Sequence, residues 1–165
     1  LFSLLSYFLI LNLQLTMNYK LTRGWRNNNP LNIIHSKSEW QGKSPVQTDK
    51  RFVQFVSMAY GYRAAIKTLQ SYYNAARKAG KVFNLEFIIH RWCPDGKEQN
   101  YINTVVKHSG VDQKAALPEP RTREAMPTFV KIMAGMTVQE CGVPIKEMPW
   151  EDIEKGYSLA YGVSN

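Results

Sequence analysis

The residues of this chain whose types could do chemistry are a few carboxylates, a run of asparagines and several scattered tryptophans and tyrosines. Glu140 follows Met136 and Val138 and precedes Cys141, Gly142 and Val143. A carboxylic acid in apolar surroundings suits the protonation of a leaving oxygen, the step that breaks a glycosidic bond. A negative charge at a helix C-terminus is disfavoured by about 0.3–1 kcal/mol, so a glutamate at the end of an apolar helix asks for a reason. Glu98 stands at the expected start of a helix, where the dipole stabilises it and capping is the plain reading. Asp49 precedes Phe52 in a turn-prone stretch and reads first as a turn former. Glu39, beside Trp40, is a lesser candidate.

Asn27, Asn28, Asn29 and Asn32 can donate to and accept from sugar hydroxyls and acetamido groups. They also suit turn architecture, being a run before Pro30. Trp25, Trp40, Trp92, Tyr60 and Tyr101 offer flat faces for sugar rings; most belong to a core, with one or two expected in a cleft. His35, His90 and His108 have no ligand spacing, and HExxH, GxSxG and Walker patterns are missing from the sequence. No metal and no cofactor are expected. Cys93 and Cys141 form no CxxC pair and read as free, buried thiols, with one bridge open only outside a reducing compartment.

These residues need elements to hold them. Ser57 opens a helix in which Tyr62, Ile66, Leu69 and Tyr73 recur at spacings of three and four, with Gly80 as its stop. Asn84 caps a second helix that turns Leu85, Ile88, Ile89 and Trp92 inward and ends at Pro94. A third runs from about Glu98 to His108, burying Tyr101, Ile102 and Val105. A fourth spans about Pro127 to Glu140, and a last one about Trp150 to Tyr161. Ahead of them, Ile33-Ile34, Val46-Gln47 and Phe52 to Val56 read as a small antiparallel sheet. The expected class is α+β, mainly helical with that sheet in the N-terminal part.

Residues 17–165 are expected to form a single domain, and Leu1 to Thr16 stands apart. It carries no charge and is shorter than the ~20 residues that span a bilayer. It also lacks the basic start of a secretory signal. The favoured reading is an over-extended frame before Met17; a membrane anchor is the alternative. Lys and Arg number 21 against 13 Asp and Glu, a formal charge of +8. That favours an anionic partner, but the basic residues are scattered and no nucleic-acid motif appears, so nucleic acid is not the expected partner.

The order of several motifs resembles a phage family, the "structural protein P5" group. Arg23-Gly24-Trp25-Arg26-Asn27-Asn28-Asn29-Pro30-Leu31-Asn32-Ile33 is similar to its opening RGxRNNNPxNI. Trp40-Gln41-Gly42, Asp49 to Phe55 with Ala59 to Ala64, and the stretch Ile89, Arg91, Trp92, Pro94, Glu98, Asn100 and Tyr101 follow in the family's order. The resemblance implies a lysozyme-like domain over 17–165. It also implies a peptidoglycan-directed activity of muramidase or lytic-transglycosylase type, or else a non-enzymatic virion or wall-binding shell. Glycan strands and other virion proteins are the implied partners, and a membrane only if residues 1–16 are an anchor. The implied location is the virion or the bacterial cell envelope, after synthesis in the cytoplasm.

One departure bears on activity. Lysozyme-like enzymes place a catalytic Glu upstream of the asparagine-rich turn, and between Met17 and Asn27 this chain has no carboxylate. Glu140, in a Glu-x-Gly context similar to the family's, is the proposed replacement in an altered chain order. Glu98 becomes a supporting residue of the cleft, and Asp49 occupies the sheet region where a second carboxylate would lie.

Overall fold

The computed structural model describes residues 18–162, so the apolar leader expectation lies outside the described residues. Among the described residues six α-helices carry the fold: α1 Arg23–Arg26, α2 Met58–Lys78, α3 Leu85–Trp92, α4 Glu98–Ser109, α5 Met126–Cys141 and α6 Trp150–Tyr161. Short 3-10 turns at Tyr19–Leu21, Arg123–Ala125 and Ile145–Glu147 join them. No helix among the described residues is long and apolar enough to cross a membrane.

The centre is α5. Phe129, Ile132, Met133, Ala134 and Met136 are fully buried, so this helix is apolar nearly all round, as an interior helix must be. Pro127 sits in its first turn, where the missing N–H costs nothing. It packs along α4, where Gly135 lies against the backbone of Val105. The other extensive contact joins α2 to α6, with Gly156 against Tyr62. Asn84 caps α3 as its sequence suggests, its side chain accepting from the Phe87 amide at 2.8 Å. One hydrophobic cluster runs from Leu31 to Tyr157 through all the longer helices.

The expected antiparallel sheet does not form, and the α+β reading is corrected to a mainly helical fold. Among the described residues only isolated antiparallel bridges appear, Ile34 with Phe52 and Lys43 with Phe55. Side chains explain why. Buried Asn29 accepts from the Ile33 amide and donates to the Ile33 and Val53 carbonyls. Gln54 Oε1 accepts from the Thr48 and Asp49 amides, while the Gln47 side chain donates through Nε2 to the Gln54 carbonyl and accepts through Oε1 from the Gln54 amide. Asp49 Oδ1 takes the Arg51 and Phe52 amides. These short polar side chains compete with the ladder for backbone groups. What remains is a loop layer from Asn27 to Ser57, wrapped on the helices.

Candidate active site

Glu140 stands in the last turn of α5, just before Cys141 and Gly142, where the apolar helix reaches the protein surface. Its side chain is half-buried, and three separate parts of the chain meet it. Tyr101 Oη of α4 donates to Glu140 Oε1 at 2.9 Å. Trp92 Nε1, at the end of α3, donates to the same oxygen at 3.2 Å. Asn32 Nδ2, from the asparagine-rich turn, donates to Oε2 at 2.8 Å. The carboxylate is thus surrounded by polar donors instead of the apolar wall its sequence neighbours suggest. Tyr101 is itself buried. Burial first, and then the adjacent Glu140 carboxylate, push its hydroxyl well above the usual tyrosine range. It therefore stays protonated and serves as a donor.

Local backbone geometry delivers Asn32 to this point. Asn28 and Asn32 adopt left-handed conformations, with φ of 51° and 54°, which asparagine tolerates better than most side chains. The turn sits on the start of α2: Gly61 lies directly under the Asn28 carbonyl, where a Cβ would collide with it. Asn32 Oδ1 is buried without a partner, pressed towards Gly24. On the other side of the turn, Cys141 Sγ donates to the Pro30 carbonyl at 3.3 Å. Burial pushes that thiol up to about 11, and both Cys93 and Cys141 are free thiols.

A cleft of about 480 Å³ lies beside the cluster. Asn32 and Trp92 belong to both the cleft wall and the cluster, whereas Glu140 and Tyr101 are not in the wall itself. Trp40 and Tyr72 add aromatic faces, Thr68, Ser71, Ser36 and Ser38 add hydroxyls, and Lys67 and Arg91 add positive charge. The indole N–H of Trp40 is buried without a partner. Tyr72 and Trp92 meet edge to face, with centroids 6.2 Å apart.

Of the residues singled out by sequence, Glu140, Asn32, Trp92 and Tyr101 come together, and Trp40 joins them through the cleft. The others lie elsewhere. Asn29 is fully buried and organises the loop layer. Asn28 Nδ2 donates to the Phe55 carbonyl at 3.0 Å. Asn27 Nδ2 donates to Asp49 at 2.8 Å, and Arg23 grips the same carboxylate with two bonds of 2.6 Å. That guanidinium first, then backbone amides and Asn27, hold the Asp49 carboxyl far below the ordinary carboxylate range. Asp49 is therefore a fixed anion. Glu98 lies 3.6 Å from His90 in a separate shallow groove with Gln99 and Ile102. The Tyr60 ring packs on the Gly42 turn. Among the described residues no group of His, Cys, Asp and Glu is placed to hold a metal ion.

Sequence reasoning missed Lys67, Tyr72 and Arg91. Arg91 was visible beside Trp92. The positions 67, 68, 71 and 72 share one helix face, a signal readable in the sequence but masked by the stronger apolar stripe of the same helix.

No family model matches the chain. It is similar to "Protein P5" of Pseudoalteromonas phage PM2, 30% identical over 144 residues, covering 84% of this chain and 82% of that protein.

Proposed function

This chain belongs to the family of the phage protein P5, and from that premise we propose that it acts on peptidoglycan glycan strands, with Glu140 as the general acid. The observation that carries the reading is the meeting of Glu140 with Asn32, Trp92 and Tyr101 at the edge of an aromatic, hydroxyl-rich cleft. Sugar-binding clefts combine such flat apolar faces with a few convergent polar groups.

The chemistry needs one carboxyl group. Glu140 in its protonated form gives its proton to the glycosidic oxygen. The bond from that oxygen to the anomeric carbon breaks, and its electron pair stays on the oxygen. The electron-poor anomeric carbon is then closed by water or by a hydroxyl of the same sugar, whose proton returns to Glu140. Tyr101 and Trp92 fix one carboxyl oxygen and Asn32 the other, which holds the group beside the cleft that Asn32 and Trp92 line. Acting from a virion or within the cell envelope, such a protein would open the wall locally.

Zymography of residues 17–165 on purified peptidoglycan tests this. Glu140→Gln should abolish clearing, a loss of about 100-fold or more, while Glu98→Gln should clear as the parent does. A second reading, a wall-binding shell without chemistry, is favoured by the way three donors already occupy the Glu140 carboxylate. It predicts no clearing by the parent protein but retained sedimentation with cell walls.

A further inference from the structure

The cleft wall holds two cations and no carboxylate: Lys67 and Arg91 line it together with Asn32, Trp40, Tyr72 and Trp92. Lys67 comes from α2 and Arg91 from the last turn of α3. Neither is taken up by a protein anion. The Lys and Arg ion pairs among the described residues join Arg23 to Asp49 and Arg121 to Glu119.

Aromatic rings hold both cations instead. The Arg91 guanidinium carbon lies 5.0 Å from the Tyr72 ring centroid and 5.6 Å from that of Phe87. The Tyr72 hydroxyl also reaches the Arg91 carbonyl at 3.4 Å. Lys67 Nζ lies 5.0 Å from the Tyr161 ring. Contact with a ring face restrains a guanidinium while leaving its N–H edge open, and that edge matches a carboxylate in two-point geometry. Two cations without a protein counter-charge make this cleft wall positive.

We propose that Lys67 and Arg91 recognise acidic side groups of the glycan, so that the cleft selects a strand bearing carboxylates over an uncharged amino-sugar polymer. The carboxylates in question are those of the peptide stems, because the lactyl carboxyl is consumed in the amide that joins stem to sugar. This specificity rests on the glycan-cleft reading of Glu140. The two residues take no part in bond breaking; they set which polymer is held.

The test is binding, followed by tryptophan fluorescence, in a Glu140→Gln background that prevents turnover. The ligands are a muramyl disaccharide-peptide with free carboxylates, the same fragment with its carboxylates amidated, and a chito-oligosaccharide of equal length. The acidic fragment should bind about tenfold more tightly than the amidated one, the effect of one charge-assisted contact. Lys67→Ala with Arg91→Ala should erase that preference, with the acidic and amidated fragments then bound alike; continued binding of the amidated fragment reports a cleft that has kept its shape. Arg26→Ala with Lys50→Ala removes the same charge elsewhere and should preserve the preference. Equal binding of acidic and amidated fragments by the parent overturns the specificity and leaves the glycan cleft standing. So does a preference that survives the Lys67 and Arg91 changes, or one that is lost equally in the Arg26 and Lys50 control. No binding of any fragment removes the cleft reading and the specificity together.

Discussion

Glu140 is a structural knot as well as the acid of the proposed reaction. Its partners lie 39, 48 and 108 residues away in sequence, so removing one loosens the join between α4, α5 and the asparagine turn. Tyr101→Phe deletes the donor to Oε1 inside a buried environment. It should destabilise the fold by about 1–2 kcal/mol in urea unfolding, and a neutral result would mean that this bond is not formed. Asp49 makes a prediction with a definite sign. Its carboxyl is held below the ordinary range in the folded state, chiefly by Arg23. The resulting stabilisation is complete above the unfolded value of about 3.9 and is lost as pH falls towards the folded value. Urea midpoints measured from pH 7 down to 2.5 should therefore drop below about pH 4, and Asp49→Asn should start lower at pH 7 and flatten that drop. Residue types alone marked Glu140, Asn32, Trp92 and Tyr101 as candidates. Their mutual bonding was not legible, because contacts over such separations depend on helix packing and not on local pattern. Asn27 to Asn29 carried the same amide chemistry, yet it is spent on backbone and on Asp49, a division that composition cannot reveal.

The longer helices were the legible elements, because burial repeats at three and four residues along α2, α3, α4 and α6, because Pro127 and Gly142 bound the all-round apolar α5, and because caps such as Asn84 and breaks such as Pro94 are local signals. The single turn of α1 was not among them. The sheet was misread for an equally physical reason. Ile33-Ile34 and Phe52 to Val56 have strand-like composition, but Asn29, Gln47, Gln54 and Asp49 take the backbone groups a ladder would use. Periodicity also could not show how closely α2 and α6 approach. A Cβ on Gly156 would sit 2.7 Å from Tyr62 Cβ and 2.8 Å from the Ala59 carbonyl oxygen. Backbone cannot yield there as a flexible side chain can. In an isolated helix alanine is better than glycine by about 1 kcal/mol. Here Gly156→Ala should reverse that order and destabilise by roughly 1–3 kcal/mol, the usual cost of overpacking. Thermal or urea unfolding decides it, and a stabilised variant would mean that the two helices can separate to admit a methyl group.

The whole molecule carries 21 basic against 13 acidic residues, and the structure distributes part of that excess around two surface features. Lys67 and Arg91 border the aromatic cleft. Arg23, Arg26 and Lys50 surround Asp49 in a second groove, where the single carboxylate is already committed to Arg23. On the proposed function, a field of this sign would draw the protein to an anionic wall over a Debye length of about 8–10 Å at physiological salt, before any group enters the cleft. Adsorption and cleft binding should then respond differently to ionic strength. Sedimentation with cell walls should fall steeply as salt rises from about 0.05 M to about 0.5 M, because exposed charges are screened. Arg26→Glu with Lys50→Glu should weaken adsorption at low salt and reduce its salt dependence. The same pair of changes should leave binding of the amidated disaccharide fragment untouched, because neither residue lines the cleft. Adsorption indifferent to salt would mean that contact area holds the protein to the wall, and the basic excess would then be a solvated surface with no part in finding it.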